Sequence, residues 1–246
     1  AAPSGAQKLI AKKNWGYFTI PTHAYHMGCY ASIPAIRLAK GSLRADPQVK
    51  QVDIVHTEIC SLHSNPSLHR LDQLISQSLF ADGFIKYSAK NEESDRCLAL
   101  LSTKEELIPD SSYAMSWNLA DWGFEMSLAK EIPVLIARSL PGYLERLSQL
   151  HQWTMKDLCQ QALFAIHPGG PKILSHVQEI LSLSDAQIAH SVRLLSECGN
   201  MSSATLPHIW KSILDDPAVP VDSAVVSLAF GPGLTLCGAL MVKRCG

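Results

Sequence analysis

A cysteine, a histidine and an asparagine stand far apart in this chain, each in a setting of small residues. Cys29 lies in His26-Met27-Gly28-Cys29-Tyr30-Ala31-Ser32. His167 lies in Ala165-Ile166-His167-Pro168-Gly169-Gly170-Pro171, and Asn200 in Gly199-Asn200-Met201-Ser202-Ser203-Ala204-Thr205. A thiol attacks a thioester carbonyl only as the thiolate, so Cys29 as a nucleophile needs a lowered pKa. A helix start supplies that through the positive end of its dipole, and Gly28 lets the chain turn sharply just before it. An imidazole at His167, after a strand and before two glycines, is placed to pair with that thiolate or to donate to a developing enolate oxygen. The Asn200 amide is placed to donate to the same oxygen. Two donors aimed at one oxyanion lower a barrier by several kcal/mol when preorganised. Taken singly, each residue has a plainer reading: a buried structural cysteine, a hydrogen-bonded loop histidine and an N-cap.

The elements that must position these residues alternate apolar strands with amphipathic helices, an α/β pattern. Strands are expected over 17–20, 52–58, 163–166, 224–230 and 234–243, the last two antiparallel around Gly231-Pro232-Gly233. Residues 84–89 and 97–102 read as a hairpin. Helices are expected over 29–40 with Gly41 as the stop, and over 68–79, 132–150, 155–161, 171–181, 184–198 and 201–214. Ser184-Asp185 supplies a helix cap.

Composition narrows the class. With 246 residues, 47% of them apolar, the chain has enough to bury a large core as one big domain or two intimate ones. Twenty-one basic against 22 acidic side chains give no net field, which argues against a nucleic-acid binder or an acidic tail. Seven scattered cysteines without a CxxC pair read as reduced, mostly buried and cytoplasmic rather than as a zinc or dithiol site. His23, His26, His56 and His63 lack ligand spacing, so no metal is expected. No apolar run approaches the roughly 20 residues that span a bilayer, and no signal peptide opens the chain. The first residue is not Met, so the gene is expected to begin earlier.

Together the three segments resemble the condensing enzymes of the thiolase superfamily. The HPGGP and GNMSSAT forms are most similar to its type III polyketide synthases, the chalcone synthase family. Leu79-Phe80-Ala81-Asp82-Gly83 resembles that family's LFxDG turn. Trp117 to Phe124 with Ile132-Pro133 resembles the segment before a helix in its bacterial members. Phe230-Gly231-Pro232-Gly233-Leu234-Thr235 resembles its GFGPGLT loop, with Ala229 where Gly is usual and Cys237 where Glu is usual.

The resemblance implies a thiolase-like α/β fold of two βαβαβαββ repeats in five αβαβα layers. Residues 1–105 would be the remainder of the first repeat with the nucleophile, and 106–246 the second repeat with His167 and Asn200. The first repeat is incomplete, because roughly a quarter of a typical member would precede this chain. That part carries opening strands and basic residues that meet the coenzyme A phosphates.

As activity, the resemblance implies Claisen condensation of acyl and malonyl or β-keto thioesters through an acyl-Cys29 intermediate, leading to an α-pyrone or an alkylresorcinol. Phe80, Met126 and Gly231 would line the substrate site. It implies no cofactor and no metal beyond the thioester substrates, coenzyme A or acyl-carrier-protein donors, a homodimer, and no nucleic-acid or membrane partner. Two related readings stay open. One is a standalone ketosynthase joining two carrier-bound β-keto chains, with Lys40, Arg44, Lys172, Arg193 and Lys211 as a basic rim; the other is an enzyme like 3-oxoacyl-carrier-protein synthase III. A thioesterase would share the acylation of Cys29, and a non-catalytic partner subunit would be expected to lack one of the three residues.

Overall fold

The computed structural model describes residues 3–92, 94, 96–151 and 153–245. In chain order it contains α1 (Gly5–Lys12), α2 (Ser32–Ala45), β1 (Val52–Glu58), α3 (Leu71–Leu79), β2 (Gly83–Ala89), β3 (Arg96–Leu107), β4 (Met115–Ala120), β5 (Gly123–Leu128) and α4 (Ile132–Ser148). There follow α5 (Met155–Gln161), β6 (Leu163–Ile166), α6 (Pro171–Leu181), α7 (Asp185–Cys198), α8 (Thr205–Asp215), β7 (Ala224–Gly231) and β8 (Thr235–Cys245). Single 3₁₀ turns at Gly28–Tyr30 and Ser202–Ala204 precede α2 and α8.

The centre is a four-stranded sheet in the order β3-β8-β7-β6, with β6 parallel to β7 and the other neighbours antiparallel. Side chains alternate faces along a strand, and both faces here are apolar. Phe164, Ile166, Val226, Leu228, Phe230, Leu236 and Leu240 pack on one side with Ile136, Leu140, Leu144 and Leu147 of α4 and Leu174 and Val177 of α6. Ala165, Val225, Ala229, Ala239 and Met241 pack on the other with Ile33, Ile36 and Ala39 of α2 and Leu206, Ile209 and Ile213 of α8. A sheet covered on both faces is why its strands read as nearly continuous apolar runs. The smaller β1-β2 and β4-β5 pairs flank this core. Among the described residues no helix is long and apolar enough to cross a membrane.

Local signals hold where they are local. Ser184 caps α7 in a capping box with Gln187, and Pro171 starts α6. Three expectations change. Gly41 does not stop α2; the helix runs on to Ala45, and Asp46, extended ahead of Pro47, ends it. Residues 84–89 and 97–102 do not form a hairpin with each other. β2 pairs with β1, whereas β3 continues to Leu107 and finds the longer partner β8 in the other sheet. Residues 17–20 form no strand; Phe18 and Thr19 turn back onto the Trp15 carbonyl, and Tyr17 and Phe18 are 96% and 89% exposed. The segment 117–124 forms most of the β4-β5 hairpin, turning at Asp121-Trp122.

One buried cation locks the last strand to α8. Lys243, only 3% exposed, donates from Nζ to the carbonyls of Ile213 (3.1 Å), Asp216 (2.6 Å) and Val219 (2.9 Å). These belong to the C-terminal end of α8 and the turn beyond it, where carbonyls lack helical partners and the dipole favours positive charge. Lys243→Met should cost about 3 kcal/mol, a fall of about 6–12 °C in Tm, because several acceptors lose their donor at once. Thermal unfolding followed by circular dichroism checks it; an unchanged Tm would mean that water replaces the ammonium.

Candidate active site

β6 ends at Ile166, and the next residue, His167, still donates its N–H to Leu228 O on β7 at 2.8 Å. The backbone thus continues the parallel ladder one step beyond the strand, which fixes where the imidazole leaves the sheet. His167 is 1% exposed, and neither ring nitrogen has a hydrogen-bond partner. Buried polar atoms are nearly always paired, which makes this imidazole, with no protein partner, a candidate functional group.

Cys29 reaches the same end of the sheet from the other side of the chain. Its 3₁₀ turn packs against the end of β7, where Gly231 passes beneath the Tyr30 ring so closely that a Cβ there would lie 2.0 Å from Tyr30 Cδ1. Outside the carboxyl ends of strands is where open α/β sheets bind ligands. Asn200 arrives from the end of α7. Its backbone is stitched to the turn after α3: Asn200 N donates to Leu79 O, and Ala81 N donates to Asn200 O, both at 2.9 Å. Its side-chain oxygen accepts Ser202 N–H at 2.9 Å. The capping reading is therefore true of Oδ1, and it leaves Nδ2 to face the Cys29 sulfur. The Cys29 thiol donates to Ser202 Oγ at 3.9 Å, and the Asn200 amide also hydrogen-bonds to the sulfur.

The electrostatics overturn one expectation. Cys29 is 5% exposed, and burial pushes its thiol up to about 12; hydrogen bonds from Ser202 and Asn200 oppose this, while the Glu58 charge adds to it. Placement just before α2 does not outweigh desolvation. The same burial pushes His167 down to about 3. The resting pair is a neutral thiol and a neutral imidazole.

The substrate-side candidates are scattered around this centre. Phe80 bridges Asn200 through its backbone and sets its ring edge-on to Trp117, with centroids 6.2 Å apart. Trp117 in turn meets Phe124 and His63 edge-on. Met126 is buried in the main core on β5, opposite Trp117 across the hairpin. Gly231 lies under Tyr30, next to Cys29. The four histidines weighed as metal ligands do not gather: His23 bonds Ser4, His56 bonds Ser203 and Tyr87, and His63 packs on Trp117 and Phe124. Among the described residues no group of three or more His, Cys, Asp or Glu side chains could hold a metal.

Ser202, Glu58 and Trp117 are functional candidates that sequence reasoning missed. Ser202 stood inside a quoted motif, but only its contact with the sulfur shows a use. Glu58 ends a strand where an outward charge is ordinary, yet its field reaches Cys29.

Two imidazoles buried in neutral form give a pH signature. His56 is pushed by burial down to about 4 and His167 to about 3, against 6.5 in the unfolded chain. Below pH 6.5 the unfolded state binds protons that the folded state refuses, so stability falls with pH until each folded pKa is reached. Urea unfolding at successive pH values between 6.5 and 4 should show a loss of up to about 1.4 kcal/mol per pH unit per histidine. His167→Gln should flatten the slope by about one proton; an unchanged slope would show that His167 is not buried neutral.

Residues 99–244 match the family described as chalcone and stilbene synthases, C-terminal domain. The "Probable polyketide synthase 1" of Dictyostelium discoideum is 29% identical over 221 residues, 87% of this chain and 7% of that protein. The "Putative chalcone synthase" of Bacillus subtilis (strain 168) is 25% identical over 242 residues, 96% of this chain and 65% of that protein. The structure of 1,3,6,8-tetrahydroxynaphthalene synthase from Streptomyces coelicolor A3(2), a bacterial type III polyketide synthase, superposes with a TM-score of 0.91 at 25% identity, over 100% of this chain and 69% of that one. The expected thiolase-like α/β fold is thus the fold found. This chain spans less than two thirds of the curated relatives' length. With well over half of its residues inside the matched domain, the chain belongs to the chalcone and stilbene synthase family.

Proposed function

We propose that the chain carries the active site of a type III polyketide synthase-like condensing enzyme, an acyltransferase working on thioesters. Two observations support it: a buried Cys29 with the Ser202 and Asn200 side chains at its sulfur, and, one residue beyond β6, a buried His167 whose ring nitrogens have no protein partner. An acyl thioester loads first. The Cys29 sulfur attacks its carbonyl, the old C–S bond breaks, and the thiol proton passes by way of His167 to the departing thiolate. A neutral resting pair suits this order, because charge develops only when the electrophile is present.

A malonyl-type thioester then takes the place of the released thiol. Its C–C bond to the carboxylate breaks, carbon dioxide leaves, and the electron pair becomes an enolate held by His167 and the Asn200 Nδ2 donor. The enolate carbon attacks the acyl carbonyl, a new C–C bond forms, the C–S bond to Cys29 breaks, and the Cys29 thiolate takes a proton from solvent. Burial of all three groups supports condensation over hydrolysis, since water would otherwise compete for the acyl group. Their joint presence also argues against a non-catalytic partner.

Coenzyme A thioesters are the donors we favour. Three cations of the basic rim that would greet an acidic carrier protein have internal partners: Lys40 on Leu101 O, Arg193 on Ser212 and Lys211 on Asp215. A homodimer, and a reaction with no cofactor beyond the thioesters, belong to the same reading. Phe80, Trp117, Phe124 and His63 form a wall of rings beside Asn200, which limits the acyl pocket; Gly231 and Met126 help to shape it.

Three experiments test this on the full-length protein. Intact-mass analysis after incubation with acyl-coenzyme A and acyl-carrier thioesters should show one acyl group on wild type and none on Cys29→Ala. Asn200→Ala should lose about 10²–10³ in malonyl-thioester decarboxylation, the usual worth of one oxyanion donor; wild-type decarboxylation would remove Asn200 from the mechanism. Trp117→Ala should shift starter preference toward longer acyl chains, each newly buried methylene being worth about 0.8 kcal/mol. Competition between short and long acyl-coenzyme A substrates reads this out, and an unchanged preference would place Trp117 outside the pocket.

A further inference from the structure

The reaction steps leave one buried polar line unused. Tyr87 Oη on β2 lies 3.1 Å from His56 Nε2 on β1, and His56 Nδ1 lies 3.0 Å from Ser203 Oγ. The Ser203 hydroxyl and its N–H, the latter at 3.3 Å, both reach Glu58 Oε1. The rings of His56 and Tyr87 stack nearly parallel, at 7° and 5.7 Å between centroids.

Each donor follows by elimination. A carboxylate oxygen only accepts, so the Ser203 hydroxyl donates to Glu58. Ser203 Oγ has then used its proton and accepts from His56 Nδ1–H. A neutral imidazole has one N–H, so Nε2 accepts from the Tyr87 hydroxyl. Burial keeps His56 neutral, which preserves this direction.

The line ends against the nucleophile's own support. Ser203 follows Ser202, which holds a left-handed φ of 49°. A non-glycine residue stays there only when its surroundings over-determine it. Asn200 Oδ1 clamps Ser202 from the N-terminal side at 2.9 Å, and the His56 and Glu58 bonds to Ser203 clamp it from the other.

We propose that the Tyr87–His56–Ser203–Glu58 line is a positioning device, directed by His56, that holds Ser202 in its left-handed conformation and thereby sets the hydrogen bonding of the Cys29 thiol. It rests on the reading of Cys29 as the nucleophile. The titratable groups facing that thiol from the same side are Glu58, whose charge raises it, and Cys60. Release of Ser203 would loosen the Ser202 donor and free the Glu58 charge, and both effects disfavour the thiolate.

The test uses the full-length protein and reads Cys29 in two ways: the rate of carbamidomethylation by iodoacetamide across a pH series, and kcat and KM for condensation. At about pH 8, His56→Leu and Ser203→Ala should each lower the alkylation rate and kcat by about tenfold, with KM within about twofold, as for a small misplacement of a reacting group. The alkylation profile should move to higher pH. His56→Asn, whose amide replaces the Nδ1 donor, should recover most of the rate. Tyr87→Phe removes a single oxygen atom and should act in the same direction by about threefold, so it keeps the test readable if His56→Leu does not fold. A lowered Tm with alkylation and kcat unchanged would reduce the line to packing and overturn the proposal. So would a His56→Asn variant no better than His56→Leu. If wild type alkylates at Cys29 but accepts no acyl group from any thioester, the condensing reading fails, and the alkylation series still decides the positioning role.

Discussion

Two backbone hydrogen bonds carry the site. Asn200 N to Leu79 O and Ala81 N to Asn200 O join the end of α7 to the turn after α3, far away in sequence. This bridge acts with the bonds of His56 and Glu58 to Ser203 to hold the β1-β2 pair against the loops at the end of the main sheet. With it, Phe80, Asn200 and Ser202 are set by main-chain geometry, and Cys29 meets a preformed surface. Backbone bonds suit this role because their donors and acceptors do not depend on rotamer choice. A site built on them loses little order when a substrate enters, which is what electrostatic preorganisation requires.

Burial is the second constraint, and it pushes Cys29, His167 and His56 in one direction, toward neutrality. It raises Cys29 and lowers His167 and His56. One environment thus accounts for the neutral forms of Cys29, His167 and His56 alike. None of them rests in a charged form, so on the proposed mechanism charge appears only during the reaction and needs donors where it appears. Asn200 Nδ2 and Ser202 Oγ stand at that place.

What the sequence discloses divides along the same physical lines. Cys29, His167 and Asn200 are legible because reactive side chains among glycines and small residues are unusual and carry their chemistry with them. Helices with a cap or an N-terminal proline, such as α6 and α7, are legible because the signal and its effect lie within one turn. The pairing of β2 is not, since its partner β1 and the competing neighbour β3 carry similar local patterns and only long-range register decides between them. Gly41 misleads because a glycine inside a buried helix costs about 1 kcal/mol, less than the packing of α2 supplies. Residues 17–20 have strand composition, but composition forms no ladder without a neighbour. The Cys29 pKa follows from three-dimensional desolvation, which no local pattern encodes. His56 reads in sequence only as one of four histidines without ligand spacing; its meaning comes from Ser203, a distant residue.

The glycines at the seam show which substitutions such a site can accept. A Cβ on Gly231 would strike the Tyr30 ring, and a Cβ on Gly83 would lie 2.6 Å from Met201 Cβ, beside Asn200. At both positions two chain segments meet with no room for a side chain, so the distance between the Cys29 turn, the Asn200 turn and the sheet is set by the absence of an atom. The aromatic wall of Phe80, Trp117, Phe124 and His63 is different, since its members are partly buried and meet edge-on. Ring contacts of that kind can be repacked by residues of other size without moving the backbone, whereas the glycine contacts cannot. The same scaffold therefore fixes the spacing around Cys29 and Asn200 while leaving the volume beside them open to change.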